Sequence, residues 1–76
     1  MLELFTLEKC PYCLKVKKFM DEKSIDYRNL DISDKDNEYS LIKLGGKRQV
    51  PFLVDNDRNI QLYESSDIIE YLKTII

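Results

Sequence analysis

Two thiols three positions apart stand in Cys10-Pro11-Tyr12-Cys13, and they are the only cysteines in a 76-residue chain that has no histidine. No imidazole is present to act as a base, so the sulfurs must work as a pair. They follow an apolar run, Leu2 to Phe5, and open a stretch with helical spacing. A sulfur at the head of a helix faces unpaired N–H groups and the positive end of the helix dipole, and both favour a thiolate over a thiol. Pro11 suits the first helical position, where its missing N–H is not needed and its fixed φ matches the helix. Cys10 is therefore the candidate nucleophile. Cys13, one turn into the helix and expected to be more buried and less acidic, is the candidate resolving thiol of a thiol–disulfide exchange site.

Other uses of the pair fit less well. A structural disulfide closing so short a loop would constrain the unfolded chain little and would be easily reduced. A structural zinc site needs four ligands, and two thiols with no histidine supply half of them, so no metal is expected in one chain. An iron–sulfur cluster shared between two chains, each giving Cys10 and completed by a small thiol, is the metal-bearing alternative that the sequence leaves open.

Charged residues make up 34% of the chain and nearly balance, with a formal net charge of −2, which indicates neither a nucleic-acid surface nor a membrane patch. The length implies one domain over residues 1–76 that must be stabilised by packing alone if the thiols are kept for exchange. A monomer is expected. No signal peptide and no long apolar span appear, so the expected compartment is the cytoplasm, where thiols stay reduced.

The elements that must hold the pair follow from patterning. Leu2 to Thr6 is a predicted strand, and a short loop of Leu7, Glu8 and Lys9 leads into a helix running to about Lys23, with Val16, Phe19 and Met20 on its core side. Lys15, Lys17 and Lys18 fall on the wet side, with a secondary effect on the potential near Cys10. Asp26 to Ile32 is a predicted second strand. Ser33 and Asp34 cap a helix of roughly Lys35 to Leu44, with Tyr39, Leu41, Ile42 and Leu44 as its apolar face and Gly45-Gly46 as its stop. Pro51 should begin a third strand, Asp55 to Arg58 should form a hairpin turn, and a fourth strand should run from Ile60 to Tyr63. Glu64-Ser65-Ser66-Asp67 then caps a last helix whose buried stripe is Ile68, Ile69, Leu72, Ile75 and Ile76. This order, strand-helix-strand-helix-strand-strand-helix, gives an α/β fold. Its mixed four-stranded sheet has a parallel first crossover, an antiparallel closing hairpin and helices on both faces.

Three features taken together resemble the glutaredoxin family, which has a thioredoxin-like fold: Cys10-Pro11-Tyr12-Cys13 after the first strand, Gln49-Val50-Pro51 before the third, and the acidic-serine turn at the last helix. The run Leu62 to Leu72 looks more like the amino-terminal domain of glutathione transferases and of the larger, transferase-like glutaredoxins. The resemblance implies a cis Val50-Pro51 peptide whose Val50 backbone pairs with a peptide-like substrate, and glutathione as co-substrate. It also implies that Glu64 and Ser65 hold the γ-glutamyl end with Asp67 near its ammonium, and that Tyr12 limits access at the groove edge. Candidates for the glycine carboxylate are Lys47, Arg48 and Gln49. Many glutaredoxins carry Lys or Arg three positions before the first cysteine, but this chain has Leu7 there, and Lys9 projects differently.

The implied activity is glutathione-dependent reduction of protein–glutathione mixed disulfides and protein disulfides, with glutathione reductase as an indirect partner. A redoxin served by a thioredoxin-reductase-type flavoprotein, feeding an enzyme such as ribonucleotide reductase without glutathione, is the alternative. The thiol domain of a glutathione transferase fits less well, since conjugation needs a further helical domain and rarely uses a cysteine pair.

Overall fold

A computed structural model describes residues 1–76. The chain runs through β1 (Leu2–Thr6), α1 (Pro11–Glu22), β2 (Arg28–Asp31), α2 (Lys35–Gly45), β3 (Phe52–Asp55), β4 (Ile60–Leu62) and α3 (Ser65–Ile75). The four strands form one sheet in the order β2-β1-β3-β4. β1 pairs parallel with β2 and antiparallel with β3, and β3 pairs antiparallel with β4. This is the thioredoxin-like fold expected from the sequence, with the element order unchanged.

Successive residues of a strand face opposite sides of the sheet, and β1 and β3 are apolar on both. Leu4 and Leu53 pack with Val16 and Met20 of α1 and Ile68 and Leu72 of α3. Phe5, Phe52 and Val54 point the other way, onto Ile32 just after β2 and Leu41 of α2. Two helices therefore cover one face and one helix covers the other. The result places the carboxyl end of β1 at the centre of the sheet, where α1 begins, the usual location of sites in open α/β sheets.

The boundaries differ from the sequence expectation in small ways. β2 is four residues, Arg28–Asp31, and not the span from Asp26 to Ile32. Pro51 lies just before β3 and Tyr63 just after β4, since each is bound into the loops described below. The expected apolar face of α2 is largely corrected: Leu41 is buried, but Tyr39, Ile42 and Leu44 are 68%, 43% and 44% exposed. A lone helix presents only one row of side chains to the sheet beneath it, and the neighbouring rows pass beyond the sheet into solvent. Lys43 covers the Tyr39 ring from 5.9 Å. Asp34 caps α2 by accepting the Asp36 N–H at 2.9 Å, and Gly46 ends it in the left-handed region at φ 89°.

Asp55 corrects the sequence reading more sharply, because it is no exposed turn residue but the last residue of β3, only 1% exposed. A buried carboxylate must be fully bonded to be tolerated. Here it accepts the Tyr71 hydroxyl at 2.5 Å, the Arg58 guanidinium at 3.2 Å and the Asp57 and Arg58 amides at 3.1 and 3.3 Å. The carboxylate thus ties the β3–β4 turn to α3. The Tyr71 hydrogen bond, with those from Arg58 and Asp57, holds the Asp55 carboxyl below its ordinary value against the opposing effect of burial.

Removing the Tyr71 hydroxyl while keeping its ring tests this knot. Hydrogen bonds to charged groups contribute about 1.5–3 kcal/mol, so Tyr71→Phe should lower the thermal midpoint by roughly 10 °C in calorimetry. Because the Asp55 value is depressed on folding, its stabilisation is complete above the unfolded carboxylate value of about 3.9 and is lost as pH falls through the lower folded value. Acid titrations of wild type and Asp55→Asn should therefore converge at the acid end, and parallel curves there would refute the depressed value.

Candidate active site

The loop of Leu7, Glu8 and Lys9 turns the chain from β1 into α1, closed by the Cys10 amide donating to the Leu7 carbonyl at 3.2 Å. Cys10 is the residue just outside the helix, with extended backbone at φ −84° and ψ 115°, and its carbonyl accepts the Leu14 amide at 3.0 Å. Its sulfur takes the part usually played by a serine or aspartate oxygen and accepts the Cys13 N–H at 3.4 Å. Pro11 occupies the first helical position. The Cys10 sulfur therefore sits at the head of the helix, bonded to one of its first amides, half-buried and open to attack.

Cys13 is fully buried in the first turn of α1. Burial pushes its thiol up to about 12, the hydrogen bond with Cys10 and its charge add to this, and the Leu7 backbone and the charge of Lys17 oppose it. Cys13 is therefore a protonated thiol at neutral pH. The asymmetry between a half-buried sulfur at the helix head and a fully buried one a turn later is what the sequence spacing implied.

Beside this pair lies a groove of about 550 Å³ with three walls. α1 contributes Tyr12 and Lys15, the α2–β3 loop contributes Gln49, Val50 and Pro51, and the β4–α3 junction contributes Tyr63, Glu64, Ser65 and Ser66. The Val50-Pro51 peptide is cis. Neither the N–H nor the C=O of Val50 bonds within the chain, and the amides of Ser65 and Ser66 at the head of α3 are likewise free. Two sets of unpaired backbone groups thus belong to residues that line one groove. Gln49 bridges the walls by donating its side-chain amide to Glu64 Oε1 at 3.2 Å. Tyr12, 65% exposed, lines the groove and stands between the two cysteines in the chain.

Of the residues singled out from sequence, Tyr12, Gln49, Val50, Pro51, Glu64 and Ser65 come together around this groove, while Cys10 lines an adjoining recess of about 430 Å³ with Leu7, Lys9 and Asp31. Lys47 does not join the wall: its ammonium sits 4.7 Å above the Tyr63 ring, where the aromatic face attracts it. Arg48 is turned away to pair with Glu38 of α2, and Asp67 also lies outside the lining. The cation that does line the groove is Lys15, which the sequence placed on the wet side of α1. Its spacing of three from Tyr12 was the available signal, since such residues share a helix face. Tyr63 was also missed, and no local pattern marks it.

Residues 4–75 match the family model described as glutathione S-transferase, N-terminal domain. Glutaredoxin 1 of Rickettsia felis is 39% identical over 57 residues, covering 70% of this chain and 56% of the relative. Prostaglandin E synthase 2 of Mus musculus is 36% identical over 77 residues, covering 99% of this chain but 20% of that protein. Among solved structures, glutaredoxin 2 from Salmonella typhimurium in complex with glutathione superposes with a TM-score of 0.83 at 27% identity, covering 99% of this chain and 34% of that one. The chain thus spans about half the length of the bacterial glutaredoxin 1 and a smaller share of the larger relatives. With the cysteine pair, cis Val50-Pro51 and the Glu64-Ser65 turn in place, the chain belongs to the glutaredoxin-like members of the glutathione S-transferase N-terminal domain family.

Proposed function

We propose that this protein is a glutathione-dependent thiol–disulfide oxidoreductase that reduces protein–glutathione mixed disulfides and protein disulfides. The observation that carries the reading is the pairing of free backbone groups at Val50 with free helix-head amides at Ser65 and Ser66, beside a helix-capping sulfur. Glutathione is a peptide with two carboxylates and one ammonium. The Val50 N–H and C=O suit its backbone as an added strand, the α3 amides suit the γ-glutamyl carboxylate, and Glu64 offers an acceptor for the ammonium. The Salmonella relative solved with glutathione supports this choice of ligand.

In the first step the Cys10 thiolate attacks the glutathione sulfur of a mixed disulfide, and the protein sulfur leaves as thiolate with the bond's electron pair. A second glutathione thiolate then attacks the glutathione sulfur on Cys10, freeing the Cys10 thiolate and yielding oxidised glutathione, which glutathione reductase recycles. For a protein disulfide, Cys10 forms the mixed disulfide with the substrate. Cys13 then attacks the Cys10 sulfur, its proton passes to the leaving substrate thiolate, and a Cys10–Cys13 disulfide remains for glutathione to reduce. The cytoplasm, rich in reduced glutathione, is the compartment this cycle needs, and one chain acting as a single-domain monomer contains both sulfurs.

A second reading, a redoxin reduced by a flavoprotein, is favoured by Leu7 at the usual cation position and by the diversion of Lys47 and Arg48 away from the groove. Turnover with glutathione and its reductase, compared with turnover on thioredoxin reductase, separates the two. Only the first system should sustain the enzyme, and exclusive use of the flavoprotein would reverse the assignment.

Brief iodoacetamide treatment at neutral pH should label Cys10 alone in the native protein, with Cys13 appearing only after unfolding, because Cys13 is fully buried and its thiol is pushed up to about 12. Mass spectrometry that finds native Cys13 labelled as fast as Cys10 would contradict the asymmetry. Cys13→Ser should keep deglutathionylation and lose most dithiol reduction, whereas Cys10→Ser should lose both. Loss of both in Cys13→Ser would dismiss the division of labour.

A further inference from the structure

Two of the groove's three walls come from chain segments about fifteen residues apart, and neither of these belongs to a helix interior or a strand ladder. The α2–β3 loop from Gly46 to Pro51 makes no backbone–backbone hydrogen bond to the sheet. Side chains hold it instead: Arg48 on Glu38, Gln49 on Glu64, and Tyr63 on Lys47. The Tyr63 hydroxyl donates to the Lys47 carbonyl at 2.7 Å and accepts the Lys47 N–H at 3.3 Å, so one side chain satisfies both main-chain groups of one loop residue. Its ring lies 4.4 Å from Phe52 at the ring centroids, and the Lys47 ammonium closes over it. Beneath the hydroxyl, Gly45 leaves a notch: a Cβ there would stand 2.0 Å from the Tyr63 oxygen. The requirement for glycine at 45 is therefore steric and is imposed by Tyr63, unlike that at Gly46, where the backbone is left-handed.

Tyr63 immediately precedes Glu64 and Ser65, and Lys47 lies two residues before Gln49 and three before Val50. A bond between Tyr63 and Lys47 thus ties together the segments that carry these two walls, as the Gln49–Glu64 hydrogen bond also does. We propose that Tyr63 is a positioning residue: through its hydroxyl's hold on Lys47 it sets the distance between the Val50 backbone groups and the α3 amides, and so the affinity for glutathione. The inference rests on the reading of this groove as the glutathione site. Tyr63 acts through the loop and leaves the thiol pair untouched, so its loss should raise KM and spare the chemical step.

Tyr63→Phe removes the hydroxyl and keeps the ring on Phe52. The KM for a glutathionylated peptide should rise about fivefold to tenfold, the loss of one to two ordinary hydrogen bonds, with kcat changed less than about twofold. Iodoacetamide labelling of Cys10 should keep its wild-type rate. Without any ligand, amide hydrogen exchange at Lys47 should accelerate by a similar factor while exchange in β1 and β3 stays slow. Gly45→Ala should raise KM in the same way, by displacing the hydroxyl, and its effect should shrink in the Tyr63→Phe background, since both changes break one contact.

A general structural role would lower the melting temperature and speed exchange throughout the sheet, with no split between KM and kcat, and that result overturns the proposal. Unchanged KM and unchanged Lys47 exchange in Tyr63→Phe overturn it as well. The glutathione reading fails separately, if the Val50 and Ser65 amide resonances of the wild type do not shift with glutathione. The ligand half of the inference then falls with it, and the exchange measurement alone decides whether Tyr63 holds the loop.

Discussion

The hydrogen bond from the Cys13 amide to the Cys10 sulfur exists because β1 delivers the chain to the first turn of α1 with one cysteine outside the helix and the other inside it. That single offset creates the difference between the sulfurs. The outer one sits at the positive end of the helix among N–H donors, and the inner one is enclosed by the α1–α3 side of the core and is held as a thiol. Were α1 to begin one turn later, both sulfurs would lie in a loop. The buried packing of Val16 and Met20 against Leu4 and Leu53 is what prevents this, since it fixes the position of α1 on the sheet.

The groove has a different physical basis. Two of its walls are a loop and a helix start, and their use lies in groups that secondary structure leaves unpaired: the Val50 peptide and the first amides of α3. Such groups are useful to a ligand only if the segments bearing them are held still by other means. Side chains supply this, through Tyr63 on Lys47 and Gln49 on Glu64. At the far end of the sheet Asp55 plays the corresponding part for the β3–β4 turn, binding Arg58 and Tyr71. In a chain this small, loops are anchored by a few polar side chains because little apolar surface remains to hold them.

The fold and the thiol pair were legible in the sequence, and the reasons can be named. Pro11 after Cys10, the spacing of Val16 and Met20, and the Asp34 cap with Gly46 at the other end of α2 are preferences acting within a turn or two of chain. The groove was half legible, since Val50-Pro51 and Glu64-Ser65 carry a family pattern. The cations were read less well. Lys47 and Arg48 looked like ligand-binding charges, but each found a partner inside the chain, the Tyr63 ring and Glu38, while Lys15 reached the groove from the helix. Long charged side chains choose among neighbours that only the folded chain assembles.

By itself, then, the sequence determined where the two thiols stand relative to the helix start and in what order the elements follow, because helix starts, strand alternation and turn chemistry are decided by residues a few positions apart. Tertiary structure alone decided that Asp55 is buried, that one row of α2 meets the sheet, and that the Tyr63 hydroxyl fills the notch at Gly45. Each of these joins residues distant in sequence. Their meeting depends on how helices and strands pack across the sheet, which no local preference encodes.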